Sequence, residues 1–349
     1  MIRMSRRPRV LLVALGAIAA LVASAVPAGA QSGEVNISGS STVEPITSLV
    51  AELYAEESPD VQVRVDGPGT GDGFQLFCEG TTDMSDASRA ITQEEIDACA
   101  EAGIEYTELQ VAIDGLTVVA NKASKVKCLS FNDLYAIFGP ESGDGEANLA
   151  DSSALATELG GSQSPTKGTV EKFTPGPESG TYDSFIEITY EGTMEERLES
   201  GDIPEENTGT NDEGEAEVTE PLIAAGTFPN DNDIVQRVEA AKNGLGFFGF
   251  AYFVENKGGL KAVKIEDPDT GECVKPTVKT IRDGSYPIAR LLYVYPNNAK
   301  VADNAAVKAF GDFYFSEENL TDSVEQAGYV VLPEEDVQAT IDAWEGIPS

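Results

Sequence analysis

The sequence predicts an α/β protein built of two lobes. Within the first hundred residues, a short strand pattern is followed by a helix pattern three times in succession, and loops rich in serine, threonine and glycine follow the strands. The length of 349 residues exceeds one ordinary domain and suits two lobes of about 150 residues each. A hydrophobic content of 41% is enough for packed cores.

The first two strand–helix units follow from simple periodicities. Glu34 to Ser38 alternates as a strand, and Pro45 suits the first turn of a helix that stops at Ser58. Val61 to Val65 alternates as a second strand, and residues 67–71 turn into a second helix. Each predicted helix carries an apolar face: Ile46, Leu49, Val50, Leu53 and Tyr54 in the first, and Phe74 and Phe77 in the second.

A third unit completes the pattern. Its strand ends near Asp86, and its helix covers Gln93 to Ala102. Three consecutive units imply a mostly parallel sheet with loops gathered at the carboxyl ends of its strands.

The apolar run from Val111 to Ala120, interrupted at Asp114, is expected to cross into the second lobe. A helix over Phe131 to Phe138 and a strand over Val170 to Phe173 are expected there. The acidic, glycine-containing stretch 192–220 is expected to be a mobile surface excursion.

The last third of the chain is expected to return to the first lobe. Gly244 to Phe253 predicts a buried aromatic strand, Ile288 to Tyr295 the return crossing, and Ala302 to Phe315 and Glu334 to Trp344 two closing helices. The predicted lobes are residues 34–113 plus 290–349, and residues 114–289.

Residues 1–30 are typical of a removable secretory signal. Four arginines precede an apolar run from Val10 to Val26, and Ala28 to Ala30 supplies a small-x-small cleavage site. No cysteine precedes Cys78, which excludes a lipid anchor at the cleavage point. We therefore expect an exported protein, periplasmic or at the cell surface.

The charge of the chain limits its partners. The formal net charge is −37, and without the four arginines of the signal it becomes −41, from 19 basic and 60 acidic residues. Bulk charge of this sign argues against nucleic acid and against an anionic membrane as partners.

Four cysteines in an exported chain predict two disulfides. Three pairings are possible, and Cys78–Cys99 with Cys128–Cys273 joins cysteines expected in the same lobe. No C-x-x-C spacing occurs, and a zinc site without histidine would need all four thiolates. We expect no metal and no cofactor.

Catalysis is the weaker class of function. The absence of histidine removes the Ser-His-Asp and Cys-His arrangements, and no P-loop motif is present. Ser124 to Lys127 matches S-x-x-K, but the companion K-T-G and S-D-N elements are missing.

Four short loops are the candidate functional elements. Hydroxyls and backbone N–H groups at a helix start are donors with a partial positive dipole, so each loop is a candidate anion site. Each also has a plain interpretation as a helix cap or a turn. The loops are Ser40–Thr42, Gly69–Gly71, Ser88–Arg89 and Ser179–Thr181.

In combination and in order, these loops resemble the PstS family, the phosphate-binding proteins of bacterial ABC importers. The segments that carry the resemblance are Ile37–Val43 (ISGSSTV), Gly67–Phe74 (GPGTGDGF), Asp83–Arg89 (DMSDASR), Gly176–Phe185 (GPESGTYDSF), Asn243–Phe253 (NGLGFFGFAYF) and Tyr286–Arg290 (YPIAR). The resemblance covers residues 34–345. It implies a two-lobed periplasmic-binding-protein fold of the Venus flytrap type II, with the ligand cleft between the lobes.

The resemblance also implies a function and a site. The function is phosphate binding by a monomer and delivery to an ABC permease. The implied phosphate-binding residues are Ser41, Thr42, Val43 (through its N–H), Thr70, Gly71, Ser88, Arg89, Ser179, Gly180 and Thr181.

The sequence departs from the best-known family pattern in its charges. The arginine that often opens the last loop is replaced near Pro175, so Arg89 is expected to supply the cation. Ser88 stands where many relatives have the aspartate that accepts the ligand's proton. The candidates for that carboxylate are Asp72, Asp86 and Glu178.

Three alternatives stay open at this stage. The chain could bind another oxyanion such as sulfate or molybdate. It could be an exported phosphohydrolase. It could also be an adhesion or scavenging protein of the same fold without a permease partner.

Overall fold

The computed structural model of this chain describes residues 32–142, 146–161, 168–177, 179–204, 207–210, 216–218, 223 and 225–348. The predicted signal, residues 1–30, and the candidate carboxylate Glu178 lie outside these ranges. No helix in the described ranges has the length and hydropathy that crossing a bilayer requires.

The described strands, numbered in chain order, are β1 Gly33–Gly39, β2 Val61–Asp66, β3 Met84–Ala87, β4 Leu109–Asn121, β5 Cys128–Leu129, β6 Glu146–Asn148, β7 Thr169–Thr174, β8 Thr208–Thr210, β9 Ala216–Val218, β10 Gly226–Thr227, β11 Gly244–Gly249, β12 Leu260–Ala262, β13 Lys264–Glu266, β14 Cys273–Val274 and β15 Ala289–Pro296.

The described α-helices are α1 Glu44–Glu57, α2 Thr70–Cys78, α3 Gln93–Glu101, α4 Phe131–Phe138, α5 Leu149–Glu158, α6 Gly180–Thr189, α7 Glu191–Ser200, α8 Asp231–Ala240, α9 Phe250–Glu255, α10 Val278–Arg282, α11 Asn298–Asp303, α12 Ala305–Tyr314, α13 Val324–Gln326 and α14 Glu334–Glu345. One π-helical turn, Asn319–Ser323, precedes α13.

The main sheet has the strand order β10-β7-β11-β4-β15-β3-β1-β2, with β12 beside β4 and β6 beside β7. Strand β1 pairs in parallel with both β2 and β3, as the three strand–helix units predict. Strands β4 and β15 run antiparallel in the middle of the sheet. They are the two predicted crossings, and they join the strands of one predicted lobe to those of the other. The predicted lobe boundaries themselves stay a prediction.

The core forms from the apolar faces that the periodicities predict. On α1, Ile46, Val50 and Tyr54 are buried, and Val35 and Ile37 of β1 belong to the same cluster. Full burial of one such side chain contributes about 1.5–3 kcal/mol. A separate cluster holds the predicted Phe74 and Phe77 of α2. Residues Gln31–Ser349 make up one unit by their internal contacts.

Two predicted elements are wrong in extent. The strand expected over Gly244 to Phe253 stops at Gly249, and helix α9 begins at Phe250. Both Phe250 and Phe253 are buried. A run of aromatic residues is compatible with a buried strand and with the buried face of a helix, so the pattern does not distinguish the two. The helix expected over Ala302 to Phe315 is two helices, because Asn304 adopts an extended backbone and its side chain caps α12.

The described part of the acidic stretch 192–220 contains a helix and two short strands. Its first part lies in α7, whose Arg197 is buried and forms an ion pair with Glu141. Strands β8 and β9 form a short antiparallel pair. The remainder of the stretch lies largely outside the described residues.

The structure has the disulfide pairing expected from the sequence. Cys78 is bonded to Cys99 and Cys128 to Cys273. The first bridge ties α2 to α3. The second ties β5 to β14, on either side of β13.

Candidate anion-binding site

The first and fourth predicted loops contact each other directly. Thr42 Oγ1 donates to the carbonyl oxygen of Gly180 at 3.3 Å and lies 2.9 Å from Ser184 Oγ. Ser41 Oγ donates to Asp183 Oδ2 at 2.7 Å. A Cβ at position 180 would lie 2.8 Å from the Ser41 carbonyl oxygen, so glycine permits this close approach. The start of α6 is therefore seated on the turn between β1 and α1.

The donors of the first loop are partly used within the turn. Thr42 N–H donates to Ser40 Oγ, and Val43 N–H donates to the Ser40 carbonyl. The side chain of Val43 is fully buried. The Val43 N–H that the resemblance assigns to the ligand thus has an acceptor inside the protein, while the Thr42 hydroxyl points toward α6.

The second and third loops also contact each other. Thr70 Oγ1 lies 3.0 Å from Ser88 Oγ and accepts from the Ser88 N–H at 3.2 Å. Thr70 is the first residue of α2, and the first N–H groups of a helix have no intrahelical acceptor. This pair of loops therefore places two hydroxyls beside a helix start, the arrangement that favours a bound anion.

Arg290 joins the two pairs of loops. Its Nη2 donates to Ser184 Oγ at 2.9 Å and to Thr42 Oγ1 at 3.3 Å. Its Nη1 forms an ion pair with Glu187, whose Oε2 lies 3.5 Å from Ser88 Oγ. The Arg290 side chain is 15% exposed. Contacts therefore run without a break from Gly180 through Arg290 to Thr70.

A buried carboxylate lies behind this arginine. Asp114 of β4 is opposite Arg290 of β15 in the strand register, and its Oδ2 has no hydrogen-bond partner among the described residues. Burial raises the pKa of the Asp114 carboxyl, while the Arg290 charge and a hydrogen bond with Ser184 act against that rise. Near the Asp114 carboxyl, Tyr329 Oη donates to the Thr42 carbonyl oxygen at 2.6 Å.

The second and third loops border a cleft of about 600 Å³. The residues that line it are Pro68, Gly69, Thr70, Gly71, Asp72, Ser88, Arg89, Ala90, Glu187, Ile188, Glu191, Arg290, Leu291 and Tyr293. Two arginines and three acids therefore face the same space. Burial, together with the charges of Glu187 and Glu195, raises the pKa of the Glu191 carboxyl.

Arg89 lines this cleft, but another group holds its guanidinium. Both terminal nitrogens donate to Glu95 at 2.8 Å, and the side chain is 42% exposed. The hydrogen bond with Glu95 raises the pKa of Arg89. The cation with direct contacts to the loop hydroxyls is thus Arg290.

The candidate carboxylates have different places. Asp72 is exposed at the rim of the cleft. Asp86 is buried beneath α1, and it does not line the cleft. Burial raises its pKa to about 7, against a hydrogen bond with Thr47. Glu178 lies outside the described residues, whereas Glu187 contacts both Arg290 and Ser88.

The remaining residues of the fourth loop shape the start of α6. Ser179 is its N-cap, and Ser179 Oγ accepts from the Thr181 N–H at 3.3 Å. Gly180 makes the contact with Thr42 described above. Ser184 and Glu187 follow on the same helical face, at spacings of four and seven residues from Gly180.

Sequence reasoning missed Arg290, Ser184, Glu187 and Asp114 as members of the site. One available signal was the polar spacing along α6 that starts at a predicted anion loop. Another was Asp114, a charge inside an apolar crossing strand. Arg290 stands at the start of the other crossing.

The described residues offer no convincing metal site. The one group of potential ligands is Cys128, Glu266 and Cys273, and its two sulfurs are joined in a disulfide. What the cleft offers instead is hydroxyls, a helix start and a guanidinium, which are donors for an oxyanion.

Comparison with known proteins places the chain among binding proteins. The PBP superfamily domain matches residues 24–318. Protein SphX of Synechococcus elongatus is 35% identical over 90% of this chain and 83% of its own length. The phosphate-binding protein PstS of Staphylococcus saprophyticus is 36% identical over 88% of this chain and 83% of its own. The crystal structure of a possible phosphate binding protein from Planctomyces limnophilus is 32% identical with a TM-score of 0.75. That match covers 91% of this chain and 100% of the other.

Proposed function

Because this chain belongs to the PBP superfamily, and within it to the PstS family, we propose that it binds inorganic phosphate and delivers it to an ABC importer. The chain works outside the cytoplasm after residues 1–30 are removed. Its partner in the membrane is the permease of that importer.

One observation carries the assignment to this site. The four loops named from the sequence are connected by one continuous set of contacts centred on Arg290. Three of the loops follow β1, β2 and β3 on one side of the crossing strands β4 and β15, and the fourth follows β7 on the other side. A ligand held here would touch both lobes, so binding and lobe closure would be coupled.

The donors fit a phosphate oxyanion. Thr42, Thr70 and Ser88 supply hydroxyls, the start of α2 supplies N–H groups, and Arg290 supplies a guanidinium. Charge-assisted hydrogen bonds are shorter and stronger than neutral ones, so Arg290 contributes most to holding an anion. Arg89 adds a second positive charge at the rim of the cleft.

We assign Glu187 as the carboxylate that accepts a hydrogen bond from the protonated ligand. It is the acid that contacts both Arg290 and Ser88, and it faces the cleft. Protonated phosphate can donate a hydrogen bond to it, whereas sulfate has no proton at neutral pH and would meet a repulsive acceptor. Sites that require a matched hydrogen bond reject an analogue lacking it by about 10⁴–10⁵.

The strong negative charge of the whole chain does not oppose this function. Exposed charges are screened beyond about 8 Å at physiological salt. Donors inside a closed cleft act at short range, so local geometry sets the affinity. The acidic surface mainly lowers the rate of encounter.

Equilibrium binding tests the proposal. Calorimetric titration of residues 31–349 with phosphate should give saturable binding at micromolar concentration or below, with sulfate and molybdate as competitors. Phosphate that stays unbound at that concentration overturns the proposal, and tighter binding of sulfate or molybdate supports the alternative oxyanion. A phosphohydrolase would instead turn over a chromogenic phosphate ester, which we do not expect.

A further inference from the structure

The chain concentrates its lysines on one small part of the second predicted lobe. Residues 121–129, 256–265 and 273–280 contain eight of the 13 lysines and none of the 60 acids. These eight, which we call the lysine face, are Lys122, Lys125, Lys127, Lys257, Lys261, Lys264, Lys275 and Lys279. The rest of residues 31–349 then carries a formal charge of −49.

The fold brings the three segments side by side. Strand β12 pairs with the end of β4, β13 pairs with β5 and β14, and the Cys128–Cys273 disulfide bridges across β13. Lys122 Nζ donates to the Gly258 carbonyl oxygen, and Lys261 Nζ donates to the Ser124 carbonyl oxygen. The lysine face is therefore a fixed patch made of neighbouring strands and loops.

Most of these lysines form no ion pair with a described acid. Within the described ranges only Lys279 of this set forms an ion pair, with Asp283. Lys127, Lys264 and Lys275 are exposed and, together with Lys261, line a depression of about 370 Å³ over the disulfide. Burial and the charge of Lys127 lower the pKa of Lys261. Acids border the lysine face: Glu266 lies against the disulfide sulfurs, and Glu239 accepts from the Gly259 N–H.

We propose that the lysine face docks the protein on an anionic lipid surface. Such a surface attracts clusters of four to eight basic residues within about one Debye length, so the distant acids of this chain are screened while the contacting lysines are not. The bulk charge argues against a membrane partner, but it is not evenly distributed. Docking through the lysine face would hold the protein at the membrane in one orientation, with this face toward the lipid headgroups.

Two features favour a lipid surface over a compact anion or a soluble polyanion. Ammonium groups on flexible stems give no selective cradle for a small anion, and α10, the helix that begins at Val278, has only five residues. Val278 is 45% exposed and stands between Lys275 and Lys279, where a side chain can enter a headgroup layer. An apolar side chain adds nothing to the binding of a soluble polyanion.

Vesicle co-sedimentation tests this. Residues 31–349 are used because the apolar run of residues 10–26 would itself enter a bilayer. We expect binding to vesicles that contain phosphatidylglycerol, none to pure phosphatidylcholine, and loss of binding as salt is raised. The triple variant Lys127→Gln, Lys264→Gln and Lys275→Gln should weaken binding about tenfold or more. Val278→Ser should weaken it further.

The matched control removes three charges from the first predicted lobe: Arg64→Gln, Lys300→Gln and Lys308→Gln. It should bind vesicles at least as well as the unmodified protein, and circular dichroism should show all variants folded. No vesicle binding at low salt, equal loss in both triple variants, or binding of soluble polyphosphate with no binding of vesicles overturns the proposal. Phosphate affinity should be unchanged in the lysine variant, so this result is independent of the proposed transport function.

Discussion

Asp114 lies directly opposite Arg290 in the antiparallel pairing of β4 with β15. The strands that carry the chain between its predicted lobes thus also place opposite charges beside the predicted anion loops. Asp114 is buried and feels the positive charge of Arg290, while Arg290 itself hydrogen-bonds to Thr42 and Ser184.

Arg290→Ala should lower phosphate affinity by more than about 2 kcal/mol, since it leaves the ligand charge without its directly bonded cation. Arg89→Ala should cost less than about 1 kcal/mol, because its guanidinium is already paired with Glu95 and its side chain is 42% exposed. Calorimetric titration of both variants with phosphate measures the two losses. A larger loss for Arg89→Ala would restore the sequence-based assignment of the cation.

Glu187→Gln should reduce the discrimination between phosphate and sulfate by at least about tenfold. The amide keeps the size of the side chain and its contact distance to Ser88, but it no longer repels an oxyanion that lacks a proton. Competition of sulfate against labelled phosphate measures the ratio. Asp72→Asn is the matched control, since Asp72 faces the same cleft from its exposed rim. If only the control lowers the ratio, Asp72 is the proton acceptor.

Gly180→Ala should weaken phosphate binding by about 1–3 kcal/mol, because the added methyl group would press on the Ser41 carbonyl oxygen and separate the two loops. Gly192→Ala is the control, since a Cβ there meets open space and alanine suits a helix. Titration with phosphate gives the affinities, and thermal unfolding reports stability. Normal affinity in Gly180→Ala would mean that this close contact is not needed for binding.

The strand–helix units and the Ser/Thr/Gly loops between them could be predicted because their signals are local. Alternation marks β1 and β2, apolar spacing marks α1, and a Ser/Thr/Gly loop ends each strand. The disulfide pairing was also predicted correctly, because each bond joins two cysteines that were expected in the same lobe.

The charged centre of the site could not be predicted in the same way. Arg290 is 106 residues from Ser184 and 103 from Glu187, and only the register of β15 brings them together. Arg89 carried the stronger local signal because it adjoins a loop serine. Its engagement by Glu95, six residues away, depends on how α3 begins. Short aromatic runs such as Gly244 to Phe253 also leave strand and helix indistinguishable by pattern alone.

Asp86 should make the protein less stable as the pH rises. Burial and the Glu44 charge raise its pKa from 3.8 to about 7, so the native state binds a proton that the unfolded chain has lost. Stability therefore falls between about pH 4 and pH 7, by an amount on the order of 4 kcal/mol. Asp86→Asn has no such charge and should be more stable than the unmodified protein at pH 8. Near pH 4 the two proteins should have similar stability.

Urea unfolding of both proteins at pH 4, 6 and 8 measures this difference. Asp72→Asn serves as control, because it removes one negative charge at an exposed position. A gap between Asp86→Asn and the unmodified protein that does not widen with pH would show that Asp86 is not held protonated by burial. In that case its carboxylate would be stabilised by Thr47, the hydrogen bond that acts against the rise in pKa.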